Sequence, residues 1–299
     1  MEAEIKRYSA VVIGGANMDI CGSPSGELIL KDSNPGAVTV RPGGVGRNIA
    51  HNLCLLGLDV SLVAALGGDL FSAGLRESCT ALGLDMSMAL TLPERRSSTY
   101  LSVTDETGDM QVGVSDMDIS ESISPAYLKT VIHRINRADA VVLDANLSSE
   151  SIEYLATACT APLYADPVST GKAPRLEHIL PRLRAFKPNA LAAAALTGEE
   201  EPEREARALI ARGVEQVFIS LGSGGILAAQ GERMIRLPCE NRPVVNTNGA
   251  GDAASAAIVW AGVQKLDLAS AAAAALRAGA ITAACPETNS PELRLGTEG

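Results

Sequence analysis

Strand-like apolar runs alternate with longer helical runs from about residue 124 to residue 284. Parallel strands need crossover connections, and helices in those crossovers cover both faces of the sheet. The chain is therefore predicted to be an α/β protein whose mostly parallel central sheet lies between two layers of helices. The predicted elements of this half are strands at 140–144, 163–166, 184–187, 217–221, 225–229 and 234–237, and helices at 125–137, 149–159, 190–196, 203–212, 250–263 and 268–284.

The N-terminal part adds elements with less regular spacing. Asn17 and Asp19 follow its first strand, at the position where open parallel sheets bind ligands. An amide and a carboxylate can hold the vicinal hydroxyls of a polyol, and a turn that caps itself through Asx side chains is the alternative. The predicted elements are strands at 9–15 and 60–66, a helix around Asn48 that ends at Gly57, a helix at 70–82 capped by Asp69, a hairpin at 98–104 and 110–115, and an irregular segment at 21–40.

The composition limits the class of partner. The 299 residues carry a formal net charge of −10 without a basic run, which argues against a nucleic-acid polymer. The six cysteines are scattered and form no CxxC pair, which favours reduced thiols over zinc or disulfides. No apolar run reaches the roughly 18 residues of a membrane span. We therefore expect a cytoplasmic protein that forms one domain over 1–299 and makes no membrane contact.

A short β-branched run enters a turn with the sequence Gly-Ala-Gly-Asp at 249–252, and a small-residue helical run follows. The backbone N–H groups of Gly249, Ala250 and Gly251 would lie at a helix N-terminus. Free amides and the helix dipole bind anions at such a position. Asp252 would stand beside that anion, which suits a base that takes a proton from a hydroxyl attacking a phosphoryl group. An ordinary helix start, with Asp252 as a first-turn charge, is the alternative.

This turn resembles the C-terminal signature of the PfkB-type, or ribokinase-like, sugar and nucleoside kinases, whose usual form is DTxGAGD. Here Asn246 stands in place of the first Asp, and the GAGD core is intact. The sequence Gly-Gly-Val-Gly-Arg-Asn at 43–48 resembles the N-terminal signature of the same family. The resemblance implies a ribokinase-like three-layer α/β sandwich with a small β lid, formed by segments at about 20–41 and 97–117.

The resemblance also implies an ATP- and Mg²⁺-dependent phosphotransferase in which Asp252 is the catalytic base and residues 249–251 form the anion hole. Activation by a monovalent cation such as K⁺ and a homodimer joined through the lid are further expectations. The family motif NxxE is incomplete, because Ala192 stands where Glu is expected, and this departure is expected to weaken the metal site. The implied nucleotide-binding residues are Lys187, Asn189 (which also reaches Mg²⁺ through water), Ser220, Gly222, Gly225 and Asn248.

Several stretches, including 42–57, 98–102, 116–120 and 166–172, resemble the branch of the family that phosphorylates the 5′-hydroxyl of pseudouridine. Two alternatives stay open. One is a kinase for ribose, another nucleoside or a sugar acid; the other is a nucleoside-binding protein with weak or no transfer. The expected acceptor residues are Asn17, Asp19, Gly43, Gly44 and Asn48 for the ribose, and Asp32, Ser33, Asn34, Asn146 and Lys172 for the base or the sugar edge.

Overall fold

The computed structural model describes residues 7–239 and 242–296, so the remaining positions of the expected range 1–299 lie outside it. In chain order the strands are β1 (Ser9–Ile13), β2 (Asn17–Pro24), β3 (Gly36–Gly43), β4 (Asp59–Val63), β5 (Ala65–Leu66), β6 (Leu90–Thr91), β7 (Ser98–Thr104), β8 (Met110–Asp116), β9 (Ala140–Asp144), β10 (Leu163–Asp166), β11 (Leu183–Phe186), β12 (Gln216–Ser220), β13 (Ile226–Gln230) and β14 (Arg233–Leu237). The α-helices are α1 (Val45–Leu55), α2 (Leu70–Ala81), α3 (Pro125–Ile135), α4 (Ser149–Ala158), α5 (Ala190–Thr197), α6 (Pro202–Ala211), α7 (Ala250–Val263) and α8 (Leu268–Ala283).

The main sheet has the strand order β14-β13-β12-β11-β10-β9-β1-β4. In this sheet β4, β1, β9, β10, β11 and β12 run parallel, whereas β13 pairs antiparallel with both β12 and β14. The mostly parallel sheet predicted from the alternation of elements is therefore confirmed. Because the parallel strands share one direction, the polar residues that follow β1, β9, β10 and β11 meet at the carboxyl edge of this sheet.

Both faces of the main sheet are buried at its central strands, so β1, β9 and β10 are mostly apolar rather than alternating. Along β1, Val11 and Ile13 pack against the layer that contains α3 to α6, whereas Ala10 and Val12 pack against α1, α7 and α8. Aromatic residues make up only 3% of the chain. Alanines on α7 and α8 form much of the second layer, which lets these helices approach one another and the sheet closely.

A second sheet, with the order β3-β2-β7-β8, lies where the lid was predicted, and we call it the lid sheet. The prediction of an irregular segment at 21–40 was wrong at both ends, because 21–24 belong to β2 and 36–40 to β3, whereas 25–35 form the loop between them. These strands pair from Asn17↔Gly43 to Pro24↔Gly36. Their Gly, Pro and Ser content hid the strand pattern, since a strand that is largely exposed needs no run of apolar residues.

Two further features did not follow from the sequence pattern. A 3₁₀ helix at Ala173–Arg182 was not predicted, because Pro174 and Pro181 interrupt the helical pattern there. The segment after α8 is packed against the rest of the chain, since Asn289 and Leu293 are buried in it. The predicted cap of α2 is confirmed, since the Asp69 carboxylate accepts a hydrogen bond from Ser72 N at 3.0 Å.

Candidate active site

The turn before α7 is held in a conformation that only glycine tolerates. Gly249 has φ +79°, and a Cβ placed on it would lie 2.0 Å from the carbonyl oxygen of Thr288. The Asn246 side chain supports the same turn, since its Oδ1 accepts from Asn248 N at 3.0 Å and its Nδ2 donates to Pro286 O at 3.1 Å. The first amides of α7 have no partners within the helix, although Ala250 N donates to Thr247 O at 3.4 Å, and the anion hole at Gly249, Ala250 and Gly251 stays a prediction.

Asp252 lies in the first turn of α7 and is partly exposed. Its Oδ2 accepts a hydrogen bond from Asn48 Nδ2 at 2.9 Å, across a sequence separation of 204 residues. Burial, followed by the nearby Asp166 carboxylate, raises the pKa of Asp252 to about 7, although Asn48 and Lys187 act in the opposite direction. The structure therefore brings the two predicted residues together and gives the carboxylate a pKa that suits a base at neutral pH.

A buried ion pair lies beside this turn. Lys187, which follows β11, has its Nζ 3.3 Å from Oδ2 of Asp166, and both residues are less than a tenth exposed. The same Asp166 oxygen accepts a hydrogen bond from Ser255 Oγ at 2.7 Å. The ammonium also lies against the anion hole, since Lys187 Nζ would be 3.2 Å from a Cβ placed on Gly251.

On the acceptor side, Asn17 and Asp19 lie on β2 rather than in a self-capped turn. Asn17 Nδ2 donates to Asp19 Oδ1 at 2.6 Å. Asp19 Oδ2 would be 2.0 Å from a Cβ on Gly43, so this glycine makes room for the carboxylate. Burial raises the pKa of Asp19, although the Asn17 hydrogen bond and Arg47 oppose that shift. Gly44, which follows Gly43, has φ +99° and is the N-cap of α1.

Asn146 and Lys172, predicted as acceptor residues, contact one another: Lys172 Nζ donates to Asn146 Oδ1 at 2.6 Å. Below them lies Asp144, whose side chain is fully buried and accepts from the backbone N–H groups of Gly15 and Asn146, each at 2.9 Å. Burial raises the pKa of Asp144. It also lowers the pKa of Lys172, although the charge of Asp144 opposes that effect.

Asn48 is held by two residues that the sequence did not single out as functional. Its backbone carbonyl accepts from Asn289 Nδ2 at 3.2 Å, a contact between α1 and the segment after α8. The neighbouring Arg47 is buried and donates to Asn48 Oδ1 at 3.4 Å, as well as to Pro42 O and Ser78 Oγ. Nothing in the local pattern points to Asn289, because its role depends on a contact 241 residues away.

The expected nucleotide residues lie on two adjacent segments, 187–189 and 220–225. The backbone N–H of Ser220 donates to Pro188 O at 3.0 Å, which joins the two segments. Gly222 and Gly225 have φ +58° and +88°, so the turn after β12 has backbone conformations that favour glycine. The remaining expected residue, Asn248, is exposed one position before the anion hole.

Asn189 is exposed and forms the N-cap of α5, where its Oδ1 accepts from Ala192 N at 2.8 Å. That contact leaves the Asn189 Nδ2 to meet a phosphate or a metal-bound water. Ala192 is 1% exposed and belongs to the apolar core, so a carboxylate at this position would have to enter a packed layer. Within residues 7–239 and 242–296, no group of three His, Cys, Asp or Glu side chains forms a metal site.

Asp32, Ser33 and Asn34 lie in the exposed loop between β2 and β3. The Asn34 amide bonds the backbone N–H and carbonyl of Ile29, and Ser33 N donates to Asp32 Oδ1 at 2.7 Å. These contacts shape the loop itself. The structure therefore places the three residues in the loop that joins β2 and β3 of the lid sheet, and their hydrogen bonds are with one another and with Ile29 rather than with the groups around Asp252.

Comparison with known proteins decides the family. The model of the pfkB family of carbohydrate kinases matches residues 8–294. The chain belongs to this family. It is 35% identical over 293 residues to the pseudouridine kinase of Escherichia coli K12, an alignment that covers 95% of this chain and 93% of the relative.

Solved structures of the family share the fold. A carbohydrate kinase from Agrobacterium tumefaciens has a TM-score of 0.86 at 28% identity and covers 96% of this chain and 94% of its own. A candidate ribokinase II from E. coli, solved with ATP and Mg²⁺, has a TM-score of 0.82 at 16% identity and covers 97% and 96%. The fold class is thus ribokinase-like, as predicted, and family membership makes the chain a phosphotransferase that acts on an alcohol group.

No helix among the residues that the structure describes combines the length and apolarity needed to cross a bilayer. Membership of a family of carbohydrate kinases is consistent with a small-molecule sugar or nucleoside as acceptor.

Proposed function

We propose that this protein is an ATP-dependent kinase for the 5′-hydroxyl of pseudouridine, and that residues 1–299 act as one kinase domain. The observation that carries the kinase assignment is the Asn48–Asp252 contact beside the anion hole. The acceptor rests on the similarity to the E. coli pseudouridine kinase and on the polar groups at Asn17, Asp19 and Lys172.

In the proposed reaction the 5′-oxygen forms a bond to the γ-phosphorus of ATP while the bond from that phosphorus to the β,γ-bridging oxygen breaks. Asp252 accepts the proton of the 5′-hydroxyl, and ADP leaves. The amides of Gly249, Ala250 and Gly251 donate hydrogen bonds to the charge that develops on the transferred group. Asn48 orients the Asp252 carboxylate and faces the ribose with Asn17 and Asp19.

The described residues are compatible with MgATP. The turn at 222–225 and the exposed Asn189 and Asn248 would hold the nucleotide, and Lys187 would add positive charge beside its phosphates. Mg²⁺ would neutralise phosphate charge, and it would be held mainly by phosphate oxygens and water, since it usually keeps several waters and few protein ligands. A requirement for K⁺ stays a prediction from the family resemblance.

Base recognition is the finer part of this proposal. We assign one edge of the base to Asn146 and Lys172, and the other edge to Asp32, Ser33 and Asn34 when their loop approaches the site. If Asp32→Ala and Asn34→Ala leave the preference for pseudouridine over uridine unchanged, the loop does not read the base. Because Asn34 holds the loop by its own contacts, Asp32→Ala is the cleaner of the two variants.

The decisive experiment incubates the purified protein with MgATP and with pseudouridine, uridine or ribose, and follows ADP release and product mass. We expect a phosphate adduct of pseudouridine that forms clearly faster than that of uridine. Turnover on ribose alone would favour the alternative of a ribokinase-like sugar kinase. Binding of nucleosides without any turnover would favour a binding protein, for which Ala192 and Asn246 are the motivating departures.

We also propose that two copies of the chain associate through the lid sheet. One face of this sheet is apolar and exposed, with Val38, Val40, Leu101 and Val114 each more than 40% exposed. The strand register puts Ile20, Val40, Leu101 and Val114 on the same face. A two-fold axis through an uncharged patch brings no like charges together, which favours a second copy over a charged partner.

Sedimentation equilibrium tests this association. Leu101→Lys would place like charges on both sides of the axis, and we expect it to give monomers. The matched control is Leu70→Lys, because Leu70 is 91% exposed at the start of α2, outside the lid sheet. A wild-type monomer, or a dimer that survives Leu101→Lys, would contradict the proposed interface.

A further inference from the structure

Asp166 is a buried carboxylate whose acceptor positions are already occupied by the protein. Its Oδ2 accepts from Ser255 Oγ at 2.7 Å and lies 3.3 Å from Lys187 Nζ, while its Oδ1 accepts from Val168 N at 2.8 Å. The residue is 5% exposed. A carboxylate with these partners has little capacity left for a substrate, so its function must be sought in what it holds.

The backbone after Asp166 is strained. Val168 has φ +63°, and Ser169 N donates to Pro167 O at 2.6 Å, which makes a very tight turn. A β-branched residue in the left-handed region is a genuine outlier, and such strain persists only where surrounding contacts impose it. The hydrogen bond from Val168 N to Asp166 is one of those contacts. The turn therefore fixes the direction of the Asp166 carboxylate.

We propose that Asp166 is a positioning residue that holds the Lys187 ammonium against the anion hole, where the negative charge of the transferred phosphoryl group develops. This inference rests on the proposed kinase function and deepens it. Lys187 is buried, and its Nζ lies close to the first turn of α7, where a Cβ placed on Gly251 would be 3.2 Å away. A buried ammonium without a partner would be costly, and Asp166 supplies the compensating charge while leaving the ammonium next to the phosphate position.

The two charges of this pair have opposite effects on the proposed base. The groups that face Asp252 are Asp144 at the end of β9, Asp166 at the end of β10, Lys187 after β11, and the uncharged Asn48 on α1. Asp166 and Asp144 raise the pKa of Asp252, and Lys187 lowers it. Removing Lys187 should therefore move the acid limb of the pH–activity profile to higher pH, and removing Asp166 should move it to lower pH.

The test compares four variants by kcat, KM for ATP and the pH profile of kcat/KM. Lys187→Met should lower kcat roughly 100-fold, in line with the loss of one transition-state contact, and move the acid limb up by about one pH unit. Asp166→Asn should lower kcat about tenfold and move the acid limb down. The double variant should have a kcat as low as that of Lys187→Met, but the acid limb of its kcat/KM profile should lie near that of the wild type. Ser255→Ala removes one hydrogen bond to Asp166 without changing a charge, and serves as the matched control.

A merely structural pair would lower thermal stability without these opposite shifts of the acid limb, and that result would overturn the inference. Asp166→Asn leaves a buried lysine unpaired and could fold poorly; the double variant avoids that problem because both charges are gone. Calorimetric titration with MgAMP-PNP gives a readout without turnover, in which we expect Lys187→Met and Asp166→Asn to raise Kd about tenfold. Wild-type Kd in both variants would also overturn it. Absence of turnover by the wild type would defeat the proposed function instead, and the titration would still decide the role of the pair.

Discussion

The two edges of the main sheet both carry charged side chains, but they use them differently. At the amino edge, a cavity of about 570 Å³ is lined by Arg7, Asp59, Asp85 and Arg134, among others. Its carboxylates have cationic partners: Arg7 pairs with Asp59 and Arg134 with Asp85, each at 3.6 Å. All four side chains are more than a third exposed.

At the carboxyl edge, the carboxylates of Asp144, Asp166 and Asp252 converge near Lys187, and the charge of Asp144 also acts on Lys172. Burial raises the pKa of Asp144 and Asp252, whereas hydrogen bonds from Ser87 and Ser61 outweigh burial and lower the pKa of Asp85 at the other edge. Paired, exposed charges keep a surface soluble. Buried like charges are unfavourable for folding, and they occur where a reaction needs them. In this protein the raised pKa values of Asp144 and Asp252 therefore identify the candidate active site better than the volume of the cavity at the amino edge does.

The strongest test of this comparison is Asp252→Asn. If Asp252 is the base, kcat should fall roughly 1,000-fold. Because the raised pKa means that folding disfavours the ionised form, the variant should be at least as heat-stable as the wild type at pH 8. The control at the amino edge is Asp59→Asn, which should leave kcat unchanged. Near-normal turnover of Asp252→Asn would refute the assignment.

The second test uses two glycines with similar backbone angles. Gly249 at the carboxyl edge has φ +79° and a blocked Cβ position, whereas Gly57 at the amino edge has φ +85° and open space. Gly57→Ala should cost about 1–2 kcal/mol of unfolding free energy, the conformational term alone. Gly249→Ala should cost more and should lower kcat roughly 100-fold, because the anion hole is displaced. Urea unfolding and steady-state kinetics measure both, and equal effects would contradict the difference between the two edges.

The pH dependence of kcat/KM is the third test. A base with a pKa of about 7 is mostly protonated at pH 6, so activity should rise about tenfold per pH unit below pH 7 and level off above it. The sign follows from the need for an ionised carboxylate. A profile that is flat between pH 5 and pH 8 would mean that the Asp252 pKa is not raised in the working enzyme.

The smallest effect is expected at the amino edge. A double-mutant cycle of Asp85→Asn and Arg134→Gln should give a coupling free energy below about 1 kcal/mol, since both side chains are exposed and screened. Neither variant should change kcat. A coupling of several kcal/mol, or a loss of activity, would assign this edge a role in catalysis.

The carboxyl-edge site was partly predictable from the sequence because its residues follow strands. Asn17, Asp144 and Lys187 each come shortly after an apolar run, and a parallel sheet necessarily brings such positions to one edge. Asp252 was predictable from the glycine turn before α7. The functional pairings were less accessible, since Asp166–Lys187 depends on register and side-chain direction.

The lid sheet and the C-terminal segment were harder to predict. The strands of the lid sheet bury little, so β3 in particular shows no burial pattern to set against its Gly and Pro residues. Asn289 lies in a polar segment without a motif, and only the folded chain brings it to Asn48. The exposed loop with Asp32 could be placed in the lid but not oriented toward the base, because its contacts are local.

The contact between Asn48 and Asn289 has a consequence for how the protein is made. At a synthesis rate of about 5–20 residues per second, roughly 10–50 s pass between the emergence of the two residues from the ribosome. Until Asp252 emerges, 204 residues after Asn48, the Asn48 side chain and carbonyl have neither of these partners. The nascent chain can form its N-terminal strands during this time, but its active site is incomplete. If synthesis stalled before residue 289, the polar groups of α1 that contact Asn289 would stay exposed to chaperones.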